Sequence, residues 1–428
     1  MRFLAPRDRQ GVARAADGSL PVGDARHQRR TLGTVPVLLA VIAVFVAAIN
    51  LRAGIASLGP VLGGVLDAFD AAGWLAGVVT AIPGLFFALM GLAAVPLARR
   101  LGLSTALTAG MVLTLIGLAV RPWVGQIWVF IVLTAFVVAG IALANVLLPA
   151  WIKNHGRRRT VALMTVYTGV LGVSGAVGPL SALFFHGEDS WRWALFVWAS
   201  FAAVQVVVWV IVSARTGFDF PSVSVSGAEP GGSLWRAPTA VFLMAFFGLQ
   251  SMNAYVQMGW LPQIYIDSGA PASVGAVALA LIGALNIVGG LVMPFLISRV
   301  HNLTLFPVLF SAFSATGYLG LYVAADLMPL LWALLLGLGG FCFPTALALI
   351  AARSRTALVT ARLSGFVQPF GYFVAAAGPL LVGIVYDITG QWSVILLALV
   401  AGTVAMALAG FRASRPGYID DELAAPTP

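Results

Sequence analysis

Charge is scarce in this chain: 9% of its 428 residues are Asp, Glu, Lys or Arg, while 60% are hydrophobic and mean hydropathy is +0.98. No soluble domain of this size could hide that much apolar surface, which excludes the soluble globular class. Cysteine is nearly absent. The lone Cys342 excludes an intramolecular disulfide and reads as a small buried hydrophobe. Histidine is limited to His27, His155, His186 and His301, all in tails, loops or span ends, and the 15 Asp and Glu keep to the same places. A membrane-core carboxylate, through which exchangers of cationic drugs usually trade substrate for proton, is therefore missing. No nucleophile–base pair and no metal-ligand cluster falls in the apolar segments, so no catalytic residue, cofactor or metal is expected.

What the chain has is length of apolar run. Crossing a bilayer takes about 20 residues, and twelve stretches qualify. The first six are Val35–Leu62, Trp74–Leu97, Leu103–Val120, Ile127–Ile152, Val161–Phe185 and Trp193–Ser213. The second six are Thr239–Tyr265, Val274–Ile297, Leu303–Ala324, Met328–Ala352, Leu363–Val385 and Trp392–Phe411. The predicted fold is an all-α membrane protein of twelve transmembrane helices in two pseudo-symmetric six-helix bundles. Residues 1–34 read as a disordered tail, 35–213 as the first bundle, 214–237 as a linker, 238–411 as the second bundle and 412–428 as a closing tail.

The net charge of +9 reports topology and not a nucleic-acid partner. Apart from Arg52, Arg121 and Arg192, the basic residues cluster in the tails and alternate loops: Arg99 and Arg100, Lys153 to Arg159, Arg215 and Arg236, Arg299, Arg353 to Arg362, Arg412 and Arg415. The opposite loops hold Arg121 and Arg192 against Asp67, Asp70, Glu188, Asp189, Asp267, Asp326 and Asp387. Positive charge stays inside. Both termini are thus expected in the cytoplasm of a multi-pass inner (plasma) membrane protein, working as a monomer in the lipid bilayer. Arg29-Arg30 reads as a topology anchor, and the basic loop clusters as orientation signals more than gates.

The halves echo each other at an offset of 200 residues. Gly178-Pro179-Leu180 returns as Gly378-Pro379-Leu380, and Gly59 and Asp67 return as Gly259 and Asp267. These repeats point to a duplicated six-helix unit with a substrate site at the midplane between the copies. The Gly-Pro pairs, like Asn50 and Pro60 in the first span, are expected to be gating or structural residues.

Arg52 is the anomaly. It sits inside the first span with apolar residues on both sides, where a charge costs roughly 2.5–3.5 kcal/mol. On a helical wheel Ala56 and Gly59 share its face, and Asn50 and Ser57 lie opposite. Its rigid fork of donors suits a planar or oxyanionic ligand. The alternative is a structural arginine held by backbone carbonyls at a broken helix or by a neighbouring amide. In the seventh span Gln250, Asn253, Gln257 and Trp260 fall on one stripe, and Gln368 and Tyr372 lie a turn apart in the eleventh. All six, with Arg52, are the predicted substrate-binding residues. Asn145, Tyr167, Gln205 and Asn286 read as helix–helix hydrogen bonds.

Asn50-Leu51-Arg52 followed by Ser57-Leu58-Gly59-Pro60, with Trp260-Leu261-Pro262, resembles the signature elements of the cyanate and nitroimidazole branch of the major facilitator superfamily. Ala53 stands where that branch commonly has Pro. Leu97-Ala98-Arg99-Arg100-Leu101-Gly102 resembles the superfamily's loop between helices two and three, with Arg99 in place of the usual Asp. The resemblance implies a secondary carrier of a small anionic or planar polar solute, working by alternating access. An efflux pump for hydrophobic drugs and a non-transporting receptor are the alternatives.

Overall fold

The computed structural model describes residues 35–220, 232–300 and 302–424. The tail 1–34 with His27, the middle of the linker, and His301 lie outside the described residues. The described chain is helical, without strands. Its spans are α1 (Val37–Ala68), α2 (Trp74–Leu101), α3 (Leu103–Trp123), α4 (Ile127–Gly156), α5 (Thr160–Phe184) and α6 (Ser190–Thr216). Then come α7 (Pro238–Asp267), α8 (Ala272–Ile297), α9 (Leu305–Ala324), α10 (Pro329–Ala352), α11 (Arg362–Thr389) and α12 (Trp392–Ala413). A short α13 (Ile419–Ala424) follows. An even number of spans returns the chain to the end where it started. That end carries the arginine-rich loops and is called the basic end here, the other the acidic end.

Two prolines set the local geometry that matters most. In α1 the regular helix stops at Ala56. Pro60 has no N–H for the Ala56 carbonyl and its ring collides with it. The chain therefore tightens into a 3-10 turn at Gly59–Val61 before the last segment Leu62–Ala68. Pro344 does the same to Gly340, and α10 is split into Pro329–Gly339 and Cys342–Ala352.

The apolar core comes in three parts. One is built from the first half alone, around Leu107, Ile141, Trp151 and Trp209. A second belongs to the second half alone, around Phe246, Phe310, Phe341 and Leu363. The third mixes both halves, bringing Leu62, Val79, Phe130 and Trp191 against Trp260, Ile264, Tyr318 and Leu396. The mixed core lies at the acidic end. The halves are sealed there and separate toward the basic end.

The offset of 200 marks real equivalences. A Cβ on Gly178 would come within 2.8 Å of Ala53 Cα, and one on Gly378 within 2.1 Å of Met252 Cγ. In each half the fifth helix presses its glycine on the first. A second equivalence appears at the basic end. Past α6, Asp219 caps α3 at the Ser104 N–H (3.0 Å) and hydroxyl (2.6 Å) and lies 3.5 Å from His155 Nε2. Past α12, Asp420 accepts from the Arg355 N–H (2.9 Å) and Asp421 pairs with its guanidinium. The basic clusters after α4 and α10 thus tie each half to its own closing segment. Nearby, Arg353 is buried, which lowers its pKa below the ordinary guanidinium value, and it donates to the Ser414 carbonyl.

Candidate functional site

Between the halves lies a cavity of about 1000 Å³. Arg52 and Ala56 of α1 face it, because their stretch is still regular helix and they stand one turn apart. Gly59 does not share that face. The helix has already broken, and Gly59 is packed at the acidic end, where its Cβ would lie 2.0 Å from the Met258 carbonyl. That carbonyl is free to be approached because Pro262, four residues on, has no N–H to offer it.

Arg52 enters none of the hydrogen bonds or ion pairs found among the described residues. Its stem rests near Gly175, whose Cβ would sit 3.7 Å from Arg52 Cβ, and its guanidinium lies 5.9 Å from the Phe343 ring centre. Tyr167, Tyr255 and Tyr372 are all within electrostatic reach of it. Phe87 and Tyr372 pair at 5.3 Å, with Tyr255 6.3 Å from Tyr372. A single cation therefore stands in a wall of aromatic rings.

The amides of α7 ring the same space. Gln250, Asn253 and Gln257 all line the cavity, as do Gln368 and Tyr372 of α11. Their N–H groups are turned on their own half. Gln257 Nε2 donates to the Tyr318 hydroxyl (3.1 Å), Gln250 Nε2 to Ser251 Oγ (2.6 Å) and Gln368 Nε2 to Ser364 Oγ (2.6 Å). Asn253 Nδ2 donates to the Leu249 carbonyl (3.0 Å), and its Oδ1 is buried without a partner.

Trp260 is the exception to the predicted set. It lies a turn farther toward the acidic end, where it packs against Tyr386 and Trp392 and donates to the Pro379 carbonyl at 3.2 Å. It belongs to the seal and not to the cavity wall. Asn50 points away, as its place on the wheel implies, and donates to Gln205 Oε1 (3.1 Å), joining α1 to α6. Of the residues read as helix–helix glue, Asn145, Tyr167 and Asn286 also face the cavity. Tyr167 donates to Asn145 Oδ1 at 3.4 Å.

Glycines close the acidic end. A Cβ on Gly77 would come 2.9 Å from the Pro379 carbonyl, one on Gly84 2.6 Å from Ala376 N, and one on Gly259 2.3 Å from Thr80 Cγ2. Toward the basic end α5 and α8 part. A Cβ on Gly283 would meet the Gly175 carbonyl at 2.7 Å, but one on Gly169 or Gly290 would meet nothing within 4 Å. The cavity widens in that direction, past Thr165, Thr168 and Leu291.

One residue departs from the loop position expected of it. Arg121, read as a loop arginine, is 1% exposed. It folds inward from the end of α3, and its Nη2 donates to the Gly54 carbonyl at 3.3 Å. That carbonyl is available because the Leu58 N–H bonds to Ile55 in the tightened turn. The structural role considered for Arg52, holding a carbonyl at a broken helix, is filled by Arg121.

Comparisons with known proteins give a consistent family. A profile described as Major Facilitator Superfamily matches residues 40–379. The chain is 30% identical to the 2-nitroimidazole transporter of Escherichia coli (strain K12), over 87% of this chain and 94% of that one. It is 25% identical to the cyanate transport protein of the same organism, over 80% and 89% of the two chains. Among solved structures, a D-xylose–proton symporter superposes with a TM-score of 0.70 at 12% identity, covering 90% of this chain and 99% of that one.

Proposed function

Because the chain belongs to the Major Facilitator Superfamily, and is therefore a membrane transporter and not an enzyme, we propose that its solute is a small anionic or planar polar molecule. The carrier is secondary-active and works by alternating access. The observation that carries this reading is Arg52, an ion with no acid beside it in a cavity otherwise lined by rings and amides. A cation at membrane depth without a counter-charge is costly, and a bound anion or electron-rich nitro group supplies one. The guanidinium donates two parallel hydrogen bonds to a planar oxyanion. Phe87, Tyr255 and Tyr372 bracket a flat ring, and Gln250, Asn253 and Gln257 accept from or donate to its edge. Relatives named for 2-nitroimidazole and cyanate support this solute class. Positive charge at the basic end supports a cytoplasmic placement of both termini, so the cavity described here opens inward.

The cavity, at about 1000 Å³, is much roomier than a three-atom anion needs, which favours the ring-bearing members of that class over the smallest ones. Uptake of labelled 2-nitroimidazole and cyanate into proteoliposomes tests the proposal. Arg52→Ala is expected to abolish uptake while the protein keeps its melting temperature, and Arg52→Lys to recover part of it. Uptake by Arg52→Ala at the wild-type rate sinks the role. Export of ethidium driven by a pH gradient would replace this reading with drug efflux.

A further inference from the structure

Arg121 does more than hold a carbonyl. Its Nε is buried with no hydrogen-bond partner, and so is Oγ1 of Thr134, a residue of α4 one turn beyond the Phe130 ring that the guanidinium faces at 6.0 Å. No acid pairs with Arg121 among the described residues. Both Arg121 and Thr134 line a second, small cavity of about 20 Å³. That volume holds one water or one compact ion and little more. Its other walls include Gly54 of α1, Thr80 of α2, and Tyr255 and Met258 of α7. Tyr255 and Met258 also wall the large cavity. The small chamber therefore lies next to the large one, on the sealed acidic side, with two α7 side chains as the partition.

We infer that this chamber is a second anion site, sized for a monovalent ion such as a halide or for the charged head of a larger solute. The chemistry is that of a permanent cation out of water with unused N–H capacity, a neighbouring hydroxyl, and space for one small partner. Tyr255 and Met258 wall both spaces, so the two guanidiniums stand on either side of one α7 partition. An anion leaving Arg52 toward the acidic end would meet Arg121 once Tyr255 and Met258 move. That transport role rests on the reading of Arg52 given above. The binding site itself does not.

Bromide is the probe. Melting of the purified transporter is followed as sodium bromide replaces sodium gluconate at constant ionic strength, gluconate being too large for the chamber. Wild type and Arg52→Gln are both expected to show a saturable, bromide-specific rise in Tm, and Arg121→Gln to show none. Thr134→Val, which leaves the charge in place, should raise the half-saturating bromide concentration about tenfold, the effect of one lost hydrogen bond. Arg121→Lys should restore a rise. If Arg121→Gln does not fold, the Thr134→Val shift decides. A wild-type response in both Arg121→Gln and Thr134→Val, a response lost only in Arg52→Gln, or no bromide-specific rise in wild type overturns the inference. Failure of the Arg52 reading shows separately, as solute uptake that survives Arg52→Gln.

Discussion

At the scale of single residues the protein separates two jobs that a buried polar group can do. Arg52 is aimed at open space, whereas Asn50, two residues earlier, is locked to Gln205 with both side chains buried. Replacing Asn50 with Leu leaves the Gln205 amide without its partner. A membrane-embedded hydrogen bond is worth about 0.5–2 kcal/mol. Asn50→Leu is therefore expected to lower Tm by a few degrees while the KM for solute stays unchanged, read by thermal melting and uptake in parallel. A KM that rises severalfold would place Asn50 at the solute after all.

Residue scale is also where the sequence was partly silent. Arg52, Gln250, Asn253, Gln257, Gln368 and Tyr372 are brought together around one cavity, and each was visible as a polar side chain too costly to face lipid. Trp260 was misplaced because a helical wheel gives angle and not depth, and the seal begins one turn beyond Gln257. Tyr255 escaped notice because it lies well off the amide stripe, yet α7 turns a broad face to the cavity. Arg121 was hidden by its position at a span end, where hydropathy assigns a charge to water. The tightened turn after Ala56 leaves free the Gly54 carbonyl that Arg121 meets.

At the scale of helices, the decisive objects are the glycine contacts across the halves. Gly77 of α2 and Gly383 of α11 approach so closely that a Cβ on either would overlap the other helix. Adding volume to a tight contact typically costs about 1–3 kcal/mol, and here the cost falls only on the arrangement sealed at the acidic end. Gly77→Val is thus expected to shift the protein toward an acidic-end-open form. A cysteine introduced at Thr80, with the buried Cys342 left in place, should react several times faster with a membrane-impermeant maleimide applied from the acidic side. An unchanged rate would mean that the seal does not depend on this contact. The helices themselves were legible: twelve apolar runs each long enough to span a bilayer appear as twelve spanning helices. What the sequence did not reveal is where they kink and touch, since a proline's effect depends on which carbonyl it orphans and what then approaches that carbonyl.

At the scale of the whole molecule, the three-part core describes a carrier with one sealed end. Each half keeps its own apolar core and its own tie at the basic end, through His155 and Asp219 in one and Arg355 with Asp420 and Asp421 in the other. The 200-residue repeat announced this duplication. It did not announce that the mixed core sits at one end only, because that is a property of the conformation and not of the duplicated unit.

The size of the cavity has a consequence for how the carrier answers its solvent. A volume of about 1000 Å³ has room for several tens of waters. Any step that occludes the cavity without refilling it must return most of that water to bulk. Water activity then becomes a reactant in the transport cycle. Osmolytes too large to enter, such as long polyethylene glycols on the cavity side, should favour the occluded form and steepen as a linear dependence of its logarithmic population on osmotic pressure. Small osmolytes that can enter should have little effect. The slope, measured by fluorescence of a reporter at the acidic end, counts the water that leaves. A slope near zero would mean that the cavity stays filled throughout the cycle.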